Sequence, residues 1–436
     1  MYGTLIVIFI SALVIFLFGL TTGKKSLKNI FYFWLLCFAF GPRGREFLGV
    51  QFMYLEGITW LCFFFMILRI NVFFPDFKKI FPKYSFFLIL WIIFISFCTV
   101  NLYNRDWRVA ITEAKVYFVI IPVFYLCFIS FKYLEVKLKN IVTLLFFGVT
   151  FLVLGAFFPS LFGFLPQDFF GPNSLMVASG SLGVGVGDGL VLEMKGGSFW
   201  GLMLSAYLIL VIFPIFTQSE YTKSLFNKYF YKVICLAMLI VVVWNGKRSA
   251  WSGFLIGLAF FLWMKGFRKS FWIILFVFCG LFFIPKEVIA RFETIFKTSE
   301  QSWARRHELN AYAFNLIKQH PITGAGFGAA GWTHNFALQF GANTGITGLS
   351  IFFLWISNLY FRSFSSYNSS FKRTDIGIYL IAFLASVLAF WGPLLGEMTI
   401  NAPDLMIPFW FFCAILQNFN NGNITKEVKS ENKEIG

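Results

Sequence analysis

An all-α polytopic membrane protein, with about 12–13 transmembrane helices and a large helical loop on its outer side, is the fold class this sequence predicts. Three observations predict it. Of 436 residues 58% are hydrophobic, 64 are Phe and only 13% are charged, which is too apolar for a soluble domain or a disordered chain. Apolar runs approaching the roughly 20 residues that a helix rising about 1.5 Å per residue needs to cross the hydrocarbon recur along the chain. Those runs lack strand alternation, and lipid offers no partner for a free backbone N–H or C=O, so helices are the expected way across.

Taken in order, the candidate spans are residues 2–20, 29–40, 47–68, 84–100, 116–130, 141–158, 199–216, 229–244, 251–264, 270–284, 344–361, 376–395 and 406–417. No basic residue precedes the first and no small-residue cleavage site follows it, so it is expected to stay in the mature chain. The second is short enough to be re-entrant. The chain then divides into N-terminal spans (1–158), a first large outer loop (159–198), central spans (199–284), a second large outer loop (285–343), C-terminal spans (344–418) and a polar tail (419–436) expected to be disordered. Cys37, Cys62, Cys98, Cys127, Cys235, Cys279 and Cys413 are scattered one to a span, which suits small packing residues and neither a CxxC metal site nor a disulfide framework.

A net charge of +16 would suggest nucleic acid in a soluble protein, but its placement argues otherwise. The odd-numbered connections hold the cations: Lys24, Lys25 and Lys28; Arg69, Lys78, Lys79 and Lys83; Lys132, Lys137 and Lys139; Lys223, Lys228 and Lys232; Lys265, Arg268 and Lys269; Arg362, Lys372 and Arg373. By the positive-inside rule these connections are cytoplasmic, with the N-terminus outside and the C-terminus inside. Basicity here reports topology and membrane-lipid contact, not nucleic acid.

The outer connections carry the residues that could do chemistry. Arg305 and Arg306 open a segment in which Leu309, Tyr312, Ala313, Leu316, Ile317 and His320 recur at helical spacing until Pro321 stops the helix. Each guanidinium is a planar fork able to grip phosphate or carboxylate; a solvated face, with Glu308 as a partner, explains the pair as well. Lys247 and Arg248 in "NGKRSAWSG" lie at the outer mouth of two closely joined spans, where topogenic cations are not expected, between Trp244 and Trp251 at interface depth. With Arg43, Arg45, Arg105 and Arg108 in other outer connections they suggest an external anion site, against the alternative of snorkelling to headgroups. "ITGAGFG" has no preceding strand and no following GK[ST], so it reads as a flexible turn and not a nucleotide loop. All histidines of the protein, His307, His320 and His334, fall in this one outer loop. Their wide spacing and the lack of an HExxH companion argue against zinc, while His334, beside Asn335 at a helix start, is a candidate acid or base. Glu56, Glu113 and Glu397 at or within spans keep a proton-coupled transporter open.

"KRSAW", an arginine helix ending in "HPITGAGFG", and "HNFALQFGANTGITGL" together resemble the O-antigen ligase and polymerase superfamily of bacterial envelope glycosyltransferases. Arg248 matches its first arginine; Arg306 and Glu308, with His320 and Pro321 in register, match its second motif; His334 and Asn335 match its third. The likeness spans residues 244–349, and Lys247 stands where Ser is usual, Asn343 where Glu is common. The resemblance implies transfer of an oligosaccharide from undecaprenyl diphosphate to a sugar hydroxyl at the periplasmic face of the inner membrane. It makes Arg248, Arg306 and His334 catalytic and puts Lys247, Arg305, Glu308, His320 and Asn335 around the substrate. It implies no metal or other cofactor, and as partners lipid-linked donor and acceptor, a chain-length regulator and a flippase. The divergent, Phe-rich composition favours a polymerase, whose acceptor is another lipid-linked repeat, over a ligase, whose acceptor is lipid A core.

Overall fold

The computed structural model describes residues 23–38, 45–47, 50–52, 54–73, 85–100, 107–157, 198–244, 248–266, 301–331, 333, 335–371, 374–396 and 403–424. Helices dominate them: α1 (Lys24–Leu36), α2 (Tyr54–Phe73), α3 (Ser85–Val100), α4 (Trp107–Phe118), α5 (Ile120–Lys132), α6 (Leu138–Phe157), α7 (Ser198–Tyr221), α8 (Leu225–Trp244), α9 (Arg248–Lys265), α10 (Gln301–Gln319), α11 (Phe336–Ser366, continued by a π turn over Tyr367–Phe371), α12 (Asp375–Gly396) and α13 (Pro403–Asn420). Among the described residues five helical segments are long and apolar enough to cross a membrane, and shorter apolar helices accompany them. Large apolar side chains stand exposed along α3 (Phe86, Ile89, Leu90, Ile93, Phe97, Val100) and the later part of α11 (Leu354, Phe361). A water-soluble surface does not carry so many; a lipid-facing one does. The all-α polytopic class is therefore the observed one.

Several boundaries differ from the sequence reading. The expected span at 47–68 begins later, because Arg45–Phe47 and Val50–Phe52 pair as a small antiparallel hairpin with Phe47 opposite Val50, and α2 starts at Tyr54. The expected span at 116–130 begins earlier: α4 and α5 form one apolar stretch, Trp107–Lys132. Pro122 has no N–H to give Phe118 O, which accounts for the break between the two helices, while Val119 N to Lys115 O and Val123 N to Val119 O carry the ladder across. Glu113 thus lies inside a buried helix and not ahead of one. Finally, α11 starts at Phe336 and runs through the expected loop boundary at 343/344. The first span, the span at 270–284, most of the first large loop and the end of the tail lie outside the described residues.

Packing follows from side-chain size. α13 is apolar on every side, is buried from Leu405 to Phe419 apart from its polar last turn, and touches α2, α4, α5, α7, α11 and α12, as the central post of the bundle. α9 and α12 approach most closely: a Cβ on Gly253 would lie 2.1 Å from Ala389 O, and one on Gly392 2.4 Å from Ser249 O. Such small-residue seams bring helices together where lipid supplies no hydrophobic drive. The cysteines among the described residues are buried and free, as packing residues should be.

The bundle has two distinguishable ends. At one, Lys265 of α9 pairs with Glu220 of α7, Tyr379 of α12 donates to Gln218, and Asn420 of α13 donates to Leu359 O of α11. At the other, the α10–α11 turn meets the end of α3 through Cys98 Sγ and Thr323 O at 3.7 Å, and Trp251 Nε1 donates to Val242 O at 3.0 Å across the α8–α9 mouth. Trp251 is 7% exposed, so it staples this hairpin from inside.

Candidate active site

The turn after α10 is a backbone-to-backbone joint. Pro321 biases the residue before it away from helix, so α10 stops at Gln319 as its spacing predicts. In a regular helix Ile346 N would bond Ala342 O. In α11 it donates instead to Pro321 O at 2.7 Å, and the released Ala342 and Asn343 carbonyls accept from Ala325 N (2.8 Å) and Gly326 N (3.1 Å). Helix and turn have exchanged partners, leaving these buried groups satisfied. The exchange works because α11 kinks at Gly345 (φ 71, ψ −177), a region essentially reserved for glycine. A Cβ there would lie 2.4 Å from Ile322 O, and one on Gly324 (φ 71) 2.4 Å from the Asn343 carbonyl carbon. The flexible turn expected from "ITGAGFG" is thus corrected to a packed one: residues 324–330 fold back into the bundle and are buried.

This joint fixes how α10 lies on α11. Ile317 packs beside Gly341, and Pro321 and Ile322 meet Ile346 and Gly345, so advancing along one helix advances along the other. The two run parallel, with Ala313, Leu316 and Ala342 in the seam and Ile317 and Leu338 packed against it. Carried back at the same register, Arg306 falls roughly 7 Å along the axis beyond the level of Asn335, at about 1.5 Å per residue. Asn335 is the N-cap of α11: its Oδ1 accepts from Leu338 N at 3.2 Å, and Thr333 Oγ1 donates to its carbonyl at 3.0 Å. That register extrapolates half-buried Arg306 to the neighbourhood of the α11 start, where free N–H groups and the dipole of the first turns favour an anion.

Under the joint lies an aromatic floor. Phe327 of the turn meets Tyr117 of α4 at 5.3 Å between centroids, and Tyr117 meets Phe340 at 5.0 Å. Phe336, the first residue of α11, meets Phe352 at 4.9 Å and Trp391 of α12 at 6.5 Å. One residue beyond Trp391, Gly392 packs on Ser249, the neighbour of Arg248. A continuous run of contacts thus links the start of α9 to the start of α11.

Among the residues singled out from sequence, Arg306 is half-buried, Glu308 and His307 are exposed, and His320 is half-buried at the joint, its carbonyl accepting from Gly324 N at 3.0 Å. Asn335 is half-buried, and with its Oδ1 engaged in capping it has its amide N–H groups to offer a ligand. Arg248 opens α9 and Arg305 lies on α10, but their side chains, like Lys247 and His334 altogether, lie outside the described residues. Glu56, considered above as a transporter carboxylate, pairs with Lys115 at 2.6 Å and is engaged in joining α2 to α4; Glu397 lies outside the described residues. Sequence reading missed the role of Glu113. Its Oε2 accepts from Gly328 N at 2.9 Å and from Asn343 Nδ2 at 3.1 Å. The available signal was a carboxylate in an otherwise apolar span, a costly placement that calls for partners.

The lipid-facing bundle with a glycine-clamped helix pair at one end defines an integral membrane protein. Its residues 233–353, from the middle of α8 to the middle of α11, match the family described as O-antigen ligase. That segment is what the chain shares with the O-antigen ligase family; the match covers less than half of its length. It takes in Lys247, Arg248, the whole of α10, the turn and the start of α11; Glu113 lies outside it. No curated protein matches the chain.

Proposed function

We propose that the protein is an O-antigen polymerase that joins undecaprenyl-diphosphate-linked oligosaccharide repeats at the periplasmic face of the bacterial inner membrane. The observation that supports this reading is the family match over residues 233–353, which takes in Arg248, Arg306 and His334, together with a parallel register of α10 on α11 that extrapolates Arg306 toward the α11 start. The chemistry asks for such a place. An acceptor sugar hydroxyl attacks the anomeric carbon of the donor; the bond from that carbon to the diphosphate oxygen breaks, and the electron pair leaves with undecaprenyl diphosphate. Arg306 and Arg248 hold the charge growing on the departing oxygen, with Arg305 and Lys247 beside them. His334 takes the hydroxyl proton, and Asn335, Glu308 and His320 line the approach of the sugars. Fixed guanidinium groups do what a divalent cation would otherwise do, so no metal is required. The donor reaches this face through a flippase, and a chain-length regulator sets when polymer is released.

The family match fits equally a second reading, a ligase that passes glycan to lipid A core. One experiment separates the two and tests both: a gel of envelope polysaccharide from cells lacking the protein, complemented with wild type, Arg306→Ala or His334→Ala at matched protein levels. A polymerase leaves single-repeat glycans in the deletion strain and in both variants. Long polymer retained on the lipid carrier and absent from lipid A identifies a ligase. Normal envelope glycan in both variants would overturn the site.

A further inference from the structure

We infer that Glu113 is a positioning residue for this site: one buried carboxylate oxygen holds both ends of the segment 328–343, which contains His334 and the capped start of α11. The inference rests on the reading under Proposed function. Gly328 begins that segment and Asn343 ends it, and both donate to the same Oε2, at 2.9 and 3.1 Å. Glu113 comes from α4, a helix outside the matched segment, and is 3% exposed, so its place is set by the bundle. Around it the fit leaves no slack. A Cβ on Gly328 (φ 81) would lie 2.8 Å from Val109 Cγ1, and Phe327 and Phe340 close on Tyr117, one turn after Glu113 on the same helix. Two N–H donors on one buried oxygen form a polar contact that resists exchange with water. Asn343 has a matching part. Its side-chain amide supplies a donor to the carboxylate that α4 brings. Glu113 touches no substrate in this arrangement; it acts by holding the backbone on either side of the imidazole and of the α11 N-terminus.

The test uses the full-length protein in nanodiscs, with undecaprenyl diphosphate as binding probe and chain extension in membranes of the deletion strain as turnover. A loss of alignment near 1 Å costs on the order of 100-fold in rate, so Glu113→Ala is expected to lower turnover by about that factor while undecaprenyl diphosphate affinity stays within about twofold. Glu113→Gln, which keeps an acceptor oxygen, recovers most of the rate. In the exchanged pair Glu113→Gln with Asn343→Glu, a carboxylate again meets an amide donor, and turnover is expected to exceed that of Asn343→Glu alone, which sets two carboxylates together. A folded Glu113→Ala protein with wild-type turnover overturns the inference, and so does an equal loss of affinity and turnover. Failure of the wild-type protein to bind undecaprenyl diphosphate would instead sink the functional reading on which the inference rests.

Discussion

Gly345 shows how much one backbone geometry can carry. Its φ of 71 with ψ of −177 breaks α11 where Ile346 N leaves the helix ladder for Pro321 O. Alanine at this position would combine a costly φ/ψ with a Cβ 2.4 Å from Ile322 O. Gly345→Ala is expected to destabilise the protein by about 2 kcal/mol or more, read as a lower midpoint of thermal unfolding in detergent, and to abolish chain extension because α10 loses its seat. A midpoint equal to wild type would show that the joint relaxes without cost. The glycines were visible in the sequence, and so was the stop at Pro321. What they pack against was not, because the partners of Gly324 and Gly345 are backbone atoms of one another's segments, and backbone atoms leave no residue signature. Glu113 was hidden for a related reason: its donors lie more than two hundred positions away along the chain, and local pattern reports only neighbours.

At the scale of elements, sequence reading succeeded where a helix is governed by its own pattern and failed where another element decides. α10 announced itself by periodicity and a proline stop, and α13 by being apolar on all sides. Around 343/344 hydropathy marks the apolar run, which begins near the kink at Gly345, while the helix begins earlier, at the Asn335 cap that the sequence already put at a helix start. The α9–α12 seam offers a prediction at this scale. Gly253 sits against backbone, Ala389 O, with Pro393 and Gly392 behind it, so no side-chain rotation can make room. Gly253→Ala is expected to part the helices at a cost of about 1–3 kcal/mol, seen as earlier thermal unfolding, and to lower turnover because Ser249 and Arg248 move with the start of α9. Gly266 has nothing within 4 Å of a Cβ, although its φ of 88 favours glycine. Gly266→Asn, a residue that tolerates positive φ, therefore serves as the control and should unfold as wild type does.

For the whole molecule the decisive quantity is the distance between its two ends. From Ile346 to Ser366 α11 rises about 30 Å, the thickness of the hydrocarbon core. The turn holding Ile322, 70% exposed, lies at one end of that stretch and exposed Asn368 just beyond the other. Lys265 and Arg362 gather at the Asn368 end, and Lys223 follows α7 there. Excess Lys and Arg mark the cytoplasmic side, so the α10–α11 joint should face the periplasm, where a lipid-linked donor and its acceptor can both reach Arg306. Single cysteines report this directly, since the native cysteines among the described residues are buried and give little background. In intact spheroplasts a membrane-impermeant maleimide is expected to label Ile322→Cys and to leave Asn368→Cys untouched until the membrane is permeabilised. The reverse pattern would put the arginine helix in the cytoplasm, on the wrong side of the bilayer for assembling surface polysaccharide, and the proposed function would fall with it.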